Sequence, residues 1–292
     1  MRRQLIILIS IYNDFKSLNI LIENFNFKEI KKTHLIIIND GSKEKLNISK
    51  KNSNKFLIIK IINLKKNLGS QRAFAVGLDF IKKNYKNSKI ILMDGDGEDN
   101  PKKIDKILEF STKEKKKIIA VCRLFRRENF LIKLLYEIYF LLVIILTHKI
   151  IRFGNYSLIQ SSHLKNILSG NTIWFAYPAA LINSSINIKK IYERKELRYI
   201  DKSKMSYRKL IEHALRIIVV FKDRILINLI IYNVICYFLF YKKVFFFSFL
   251  FFSLFFVFYL NYFFLKEIKK KPKHLNTFIS KIVVIKKFYK DA

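Results

Sequence analysis

The sequence predicts an α/β protein, a mainly parallel sheet followed by a C-terminal two-helix transmembrane hairpin. Three observations carry this. Short apolar runs alternate with amphipathic stretches from Leu5 to Val121, the pattern of strand–helix repeats. Two long runs near the C-terminus, Ile225–Tyr241 and Val244–Leu265, contain no charge. Acidic residues, scarce elsewhere, gather at Asp94–Asp99, directly after an apolar run.

The elements follow in order. Leu5–Ile11 is a buried strand. Met1-Arg2-Arg3 before it imitates the charged start of a signal peptide. The apolar run is only about seven residues, however, and it ends in Tyr12-Asn13-Asp14 without a small-residue cleavage site. Asp14–Phe25 is a helix with an Asn/Asp start. His34–Ile38 and Phe56–Ile62 are strands. Ser70–Asn84 is a helix with Ala73, Val76, Phe80 and Ile81 along one side. Lys89–Met93 is a strand, Pro101–Phe110 a helix with proline in its first turn, and Lys117–Val121 a further strand. Ligands of such sheets bind at the carboxyl ends of the strands. Those ends carry Asp14, Asn39-Asp40-Gly41-Ser42, Asn67-Leu68-Gly69 and Asp94-Gly95-Asp96.

Beyond Val121 the pattern changes. Phe130–Thr147 is very apolar but holds Lys133 and Glu137, which suits a helix at the membrane interface better than a span. Lys202–Val220 mixes Lys202, Lys204, Arg208, Lys209 and Arg216 with Leu210, Leu215, Ile217, Ile218 and Val219, again a surface-lying helix. As a helix, Val244–Leu265 covers roughly 33 Å, enough for a bilayer. Lys242 and Lys243 separate it from Ile225–Tyr241. The tail Lys266–Ala292 has nine lysines and a net charge of +7, which puts it in the cytoplasm. A hairpin returns to its starting side, so the N-terminal region is expected there too, on an integral membrane protein.

Composition narrows the classes. The 292 residues include 56 Lys+Arg and 22 Asp+Glu, a net charge of +34. That charge alone invites nucleic acid or an anionic membrane. At 51% hydrophobic with 28 Phe, a disordered basic tail is excluded. The uncharged runs turn the charge toward anionic lipid, and no nucleic-acid partner is expected. Cys122 and Cys236 are the only cysteines. They have no zinc spacing and suit no disulfide framework. Cys122 reads as a buried structural thiol.

The acidic cluster is the sharpest chemical signal. Like charges repel unless a cation offsets them. Oxygen-only ligands suit Mg2+ or Mn2+, which are held by few carboxylates plus substrate phosphates. A solvated acidic turn ahead of a helix accounts for Glu98 and Asp99, but less well for Asp94 and Asp96. Asn39-Asp40-Gly41-Ser42 could bind a base or ribose, or be an ordinary turn. Asp14 taken alone reads as a helix N-cap.

Taken together, Ile11-Tyr12-Asn13-Asp14, Asn39-Asp40-Gly41-Ser42, Asn67-Leu68-Gly69 with Ala73 and Gly77, and Met93 to Asp99 resemble the family 2 glycosyltransferases of GT-A, Rossmann-like fold. The resemblance points to the dolichol/polyprenyl-phosphate sugar synthase-like branch. It implies a nucleotide-sugar site of Ile11, Tyr12, Asp14, Asp40, Gly41, Ser42, Gly69, Asp94, Gly95 and Asp96. It also implies a divalent ion on Asp94, Asp96 and Glu98, with Asp94, Asp96, Arg123 and Arg127 serving catalysis. Gly154-Asn155-Tyr156-Ser157-Leu158 resembles a family strand. Arg198 and Lys204 fall in a segment expected to face the acceptor phosphate. No Gln-x-x-Arg-Trp occurs, against a processive polysaccharide synthase.

The expected organisation is a GT-A domain at 1–165, an acceptor-side juxtamembrane segment at 166–224, the hairpin at 225–265 and a basic tail at 266–292. The expected activity is inverting transfer of a sugar from a nucleotide-sugar donor to a polyprenyl-phosphate-type lipid, on a monomer or homo-oligomer. A glycosyltransferase that extends a lipid-linked glycan or surface polysaccharide is the alternative. From another class, a non-catalytic basic membrane-anchored binding protein fits the charge but not the acidic cluster.

Overall fold

The computed structural model describes residues 4–44, 48–123, 130–194, 196–200, 207–240 and 243–286. Its strands and helices run β1 (Gln4–Ile11), α1 (Phe15–Asn24), β2 (His34–Asn39), α2 (Lys50–Ser53), β3 (Ile58–Leu64), α3 (Ser70–Asn84), β4 (Ser88–Asp94), α4 (Ile104–Lys113), β5 (Ile118–Arg123), α5 (Phe130–Thr147), β6 (Ser157–Gln160), α6 (Leu164–Ile167), α7 (Thr172–Phe175), α8 (Tyr177–Asn183), β7 (Ile188–Glu193), α9 (Tyr207–Val219), α10 (Lys222–Phe240), α11 (Val244–Ile268) and β8 (Ile279–Lys286).

One eight-stranded sheet has the order β7-β5-β6-β4-β1-β2-β3-β8. β1 pairs in parallel with β2 and β4, as do β2 with β3 and β5 with β7. β6 and β8 run antiparallel to their neighbours. The strand order reverses between β1 and β4, so the crevice at their carboxyl ends is the topological switch point where such sheets bind ligands. Ser10 of β1 stands beside Asp94 of β4 there.

The central strands β1, β2 and β4 are apolar on both faces because both faces are covered. Side chains alternate along a strand. Ile6 and Leu8 join one buried layer with Phe74 and Val76 of α3 and Tyr177 of α8. Leu5, Ile7 and Ile9 join the other, with Leu18 and Leu21 of α1 and Ile104 and Ile107 of α4. Each such side chain contributes about 1.5–3 kcal/mol on burial. Cys122 is buried, as expected.

The chain forms two compact units, one of residues 1–126, 152–204 and 273–292, the other of 127–151 and 205–272. The first holds the sheet. The second holds α5, α9, α10 and α11. Within it, Asn228 Nδ2 donates to the Leu146 carbonyl at 2.9 Å, and Tyr232 Oη donates to that of Ile145 at 2.7 Å. Asn233 Nδ2 reaches Ser253 Oγ at 2.9 Å. Glu267 is buried and paired with Arg216 at 3.2 Å and with Lys270. α10 and α11 are long and apolar enough to cross a membrane.

Several boundaries differ from the sequence reading. The sheet does not stop at residue 165, because β7 adds an edge strand. The tail from 266 is not a separate basic appendage: Ile279–Lys286 pairs with β3 over seven positions. Its Ile-Ser-Lys-Ile-Val-Val-Ile-Lys run is strand-like through its β-branched residues, a signal obscured by the surrounding lysines. The third strand also begins two residues later than its apolar run, with Phe56 packed edge-on against the Phe25 ring.

Candidate functional site

Four loops meet at the carboxyl ends of β1 to β4. The β1 loop exposes Tyr12 and ends in Asp14, whose carboxylate accepts from Ser17 N at 3.4 Å and so caps α1. Asn13 ties this loop to the next. Its N–H donates to Ser42 Oγ at 2.9 Å, and its side chain accepts from Lys43 N at 3.2 Å. Ile11 is buried at the strand end, where its carbonyl accepts from Asp40 N at 2.9 Å.

Asp40 is also buried. Its two carboxylate oxygens accept from Leu68 N at 2.8 Å and Gly69 N at 2.9 Å. It therefore pins the loop that starts α3. Burial pushes its carboxyl up to about 6, against the opposing pull of those two N–H groups. The native state thus holds more protons than the unfolded chain between about pH 4 and 6. Stability from this group falls as pH rises through that window, by up to about 3 kcal/mol. Thermal melts of the protein from pH 4 to 7 should show this slope, and Asp40→Asn should reduce it.

Gly41 has φ +71, and a Cβ there would lie 2.5 Å from the Lys66 carbonyl carbon and 2.6 Å from Asn67 N. Backbone atoms cannot step aside as a side-chain tip can. Gly41→Ala should therefore cost at least about 2 kcal/mol, read as a melting temperature about 5 °C lower or more. Gly69 has φ +86, and no atom lies within 4 Å of its Cβ position, which leaves the α3 entry open to solvent.

The β4 loop is the acidic turn. Asp99 is buried and accepts from Asp94 N at 2.9 Å, closing the turn on itself. Glu98 N donates to Asp96 Oδ1 at 3.1 Å. Gly95 packs against β1, where a Cβ would come 2.9 Å from Ile11 Cδ1. Arg198 bridges two acids, Nη2 to Asp96 Oδ2 at 2.9 Å and Nε to Glu98 Oε1 at 2.9 Å. Its segment is laced to the turn. Tyr199 N donates to the Asp96 carbonyl, Glu196 N to that of Glu98, and Asn100 Nδ2 to Glu196 Oε1 at 2.8 Å. The Tyr199 ring fills the space a Cβ on Gly97 would need.

Burial, then the charges of Asp94 and Glu98, push the Asp96 carboxyl up to about 6, against the pull of Arg198. For Arg198 itself burial acts downward. The carboxylates of Asp96, Glu98 and Asp94 more than offset this, so its pKa is raised.

The acidic turn offers hard oxygen donors, and crowded like charges favour an added cation. Among the described residues no three His, Cys, Asp or Glu side chains form a preformed metal cage. A Mg2+ or Mn2+ ion held by one or two carboxylates plus substrate phosphates needs none, so the residues fit such an ion.

The structure thus gathers Ile11, Tyr12, Asp14, Asp40, Gly41, Ser42, Gly69, Asp94, Gly95, Asp96 and Glu98 at the strand ends, with Arg198 on the acids. Arg123 ends β5, opposite Glu193 of β7. Arg127 and Lys204 lie outside the described residues. Three site residues have no signal in the sequence spacing: Gln71, Tyr199, and Asn155 in its contact with Asp94. Asn155 Nδ2 donates to Asp94 Oδ1 at 2.9 Å.

The mainly parallel mixed sheet with an acidic turn at its switch point is a GT-A-like α/β fold. Residues 6–178 match Glycosyl transferase family 2, and the chain belongs to that family. It is accordingly a glycosyltransferase. No curated protein matches it significantly. Among solved structures it is similar to glucosyl-3-phosphoglycerate synthase from Mycobacterium tuberculosis in complex with Mn2+, UDP-glucose and phosphoglyceric acid. That match has 12% identity and TM-score 0.56, and covers 76% of this chain and 80% of that one. It is also similar to S. aureus TarS, at 14% identity and TM-score 0.47, covering 74% of this chain but only 39% of TarS. A shorter TarS 1–349 in complex with UDP-GlcNAc matches at 13% identity and TM-score 0.46, covering 75% of this chain and 66% of that one.

Proposed function

We propose that this glycosyltransferase is anchored in a membrane and moves a sugar, with inversion, from a nucleotide-sugar donor to a polyprenyl-phosphate-type lipid. The observation that carries this reading is the course of the chain through one sheet. The two long apolar helices α10 and α11 are inserted between β7 and β8, strands of the sheet that bears the acidic turn. Strands of one sheet lie on one side of any bilayer. The segment between them crosses an even number of times, as a hairpin does.

The same reasoning applies to α5. It lies between β5 and β6, which pair with each other, and this argues against a single crossing there. Its exposed Leu134, Leu135, Ile138, Leu141 and Leu142 suit a helix lying in the interface. The catalytic sheet is then tethered to the membrane, where a lipid phosphate is found.

The donor's nucleoside would lie by Tyr12 and the Asn13–Ser42 loops, and its diphosphate at the acidic turn. A cation on Asp94 and Asp96 would offset charge on the departing nucleoside diphosphate. The acceptor phosphate oxygen attacks the anomeric carbon as the bond to the diphosphate breaks, and the bonding pair leaves with the diphosphate. A phosphate monoester is largely dianionic near pH 7, so no protein base is required. Arg198 and Lys204 are the cations assigned to phosphate contacts. In the structure Arg198 is engaged by Asp96 and Glu98.

The test is an assay of membrane fractions with a panel of nucleotide sugars and polyprenyl phosphate, with and without a chelator. The expected product is an acid-labile polyprenyl monophosphosugar whose formation stops with the chelator. An extended glycan as product would overturn the lipid-phosphate acceptor.

A further inference from the structure

A buried line of amides runs from Asp94 into the protein interior. Asn155 Nδ2 donates to Asp94 Oδ1 at 2.9 Å. Gln71 Nε2 donates to Asn155 Oδ1 at 2.9 Å. Tyr177 N donates to Gln71 Oε1 at 2.7 Å. Gln71 and Asn155 are 7% and 8% exposed, and Tyr177 is 0% exposed, so little water competes for these groups.

The direction of the line is fixed at its inner end. A backbone N–H can only donate. Tyr177 opens α8, where the first N–H groups lack helical partners. Gln71 must turn its oxygen to Tyr177, which leaves its NH2 for Asn155. Asn155 must then accept with its oxygen and present its own NH2 to Asp94. Each amide orients the next, and reversing any one sets two donors or two acceptors face to face. Gln71 also lies in the first turn of α3, three residues after Leu68 and two after Gly69, whose N–H groups bind Asp40. The first turn of α3 is therefore joined to both the β2 loop and the β4 loop.

We propose that Gln71 and Asn155 are positioning residues for Asp94. Their relay of amides presents an N–H donor to Oδ1 and sets the plane of the carboxylate for the divalent cation and donor diphosphate. This rests on the reading that Asp94 faces those groups. Asn155 acts on Asp94 directly, and Gln71 acts through Asn155. Loss of such outer partners weakens metal affinity by about 10- to 100-fold in other sites.

The test measures Mn2+ binding to the full-length, detergent-solubilised protein by the loss of the free-ion EPR signal, with and without UDP. Gln71→Met keeps the length of the side chain and removes both hydrogen bonds. It should weaken Mn2+ binding about tenfold, although it cannot touch the ion. Asn155→Ala should weaken it at least as much, and the double variant should be no worse than Asn155→Ala alone, because the two act in series. A packing role would let methionine substitute without effect. Equal Mn2+ binding by Gln71→Met and wild type, or additive losses in the double variant, would overturn the relay alone. Absence of Mn2+ binding to the wild type, with UDP present, would overturn the reading of the site and the relay with it.

Discussion

Asp96→Ala is expected to lower sugar transfer by at least about 10³-fold, equivalent to about 4 kcal/mol of transition-state stabilisation, while the protein still reaches the membrane fraction. Asp96 sits at the centre of the acidic turn. Its Oδ2 holds Arg198 at 2.9 Å and its Oδ1 accepts from Glu98 N at 3.1 Å. Alanine removes the charge and also the hydrogen bond that shapes the turn. Asp96→Asn separates the two effects: its carbonyl oxygen can still accept from Glu98 N, but it carries no charge. If charge at this position supports departure of the nucleoside diphosphate, Asn should lose nearly as much activity as Ala and melt closer to wild type. Initial rates on membranes, scaled to protein detected in the same fraction, measure this. Near-normal transfer by Asp96→Asn would sink the assignment of Asp96 to a cation.

The strands that build the site are legible in the sequence because their physics is local. Ile6–Ile9 and Ile36–Ile38 are fully buried on both faces, and such runs read as strands without further context. Asp94 and Asp96 stand out against a chain of net charge +34. Less legible are features made by partners far apart in the chain. Asp40 reads as a ligand contact, and the sequence does not show that its carboxylate also holds the N–H groups of Leu68 and Gly69. Arg198 reads as a phosphate contact, yet its guanidinium meets acids about a hundred residues earlier. Gln71 looks like any polar residue in a helix's first turn. β7, Ile-Lys-Lys-Ile-Tyr-Glu, is a half-charged edge strand with little apolar signal, as edge strands commonly are. In each case tertiary pairing decides the role, and no spacing rule records it.

β8 closes the β3 edge of the sheet. It covers β3 from Ile58 to Leu64. The preceding Phe278 stacks on Trp174 with ring centroids 5.8 Å apart, and its carbonyl accepts from Lys65 N at 2.9 Å. Ser280 Oγ donates to the Asn63 carbonyl at 2.9 Å. Removing residues 274–292 would leave β3 as an apolar edge with unpaired N–H and C=O groups, a template for aggregation. The truncated protein is expected to aggregate in gel filtration and to melt at least about 10 °C lower, from a loss of about 4 kcal/mol or more. In the membrane-anchored reading proposed above, the pairing also constrains topology, because β3 and β8 must share a side. In a variant lacking Cys122 and Cys236, a cysteine placed at Ser280 should resist an impermeant thiol reagent added outside intact cells. One placed at Lys243, between α10 and α11, should react. Labelling of both positions from the same side would break the hairpin reading, because α11 lies between them and would then not cross the bilayer.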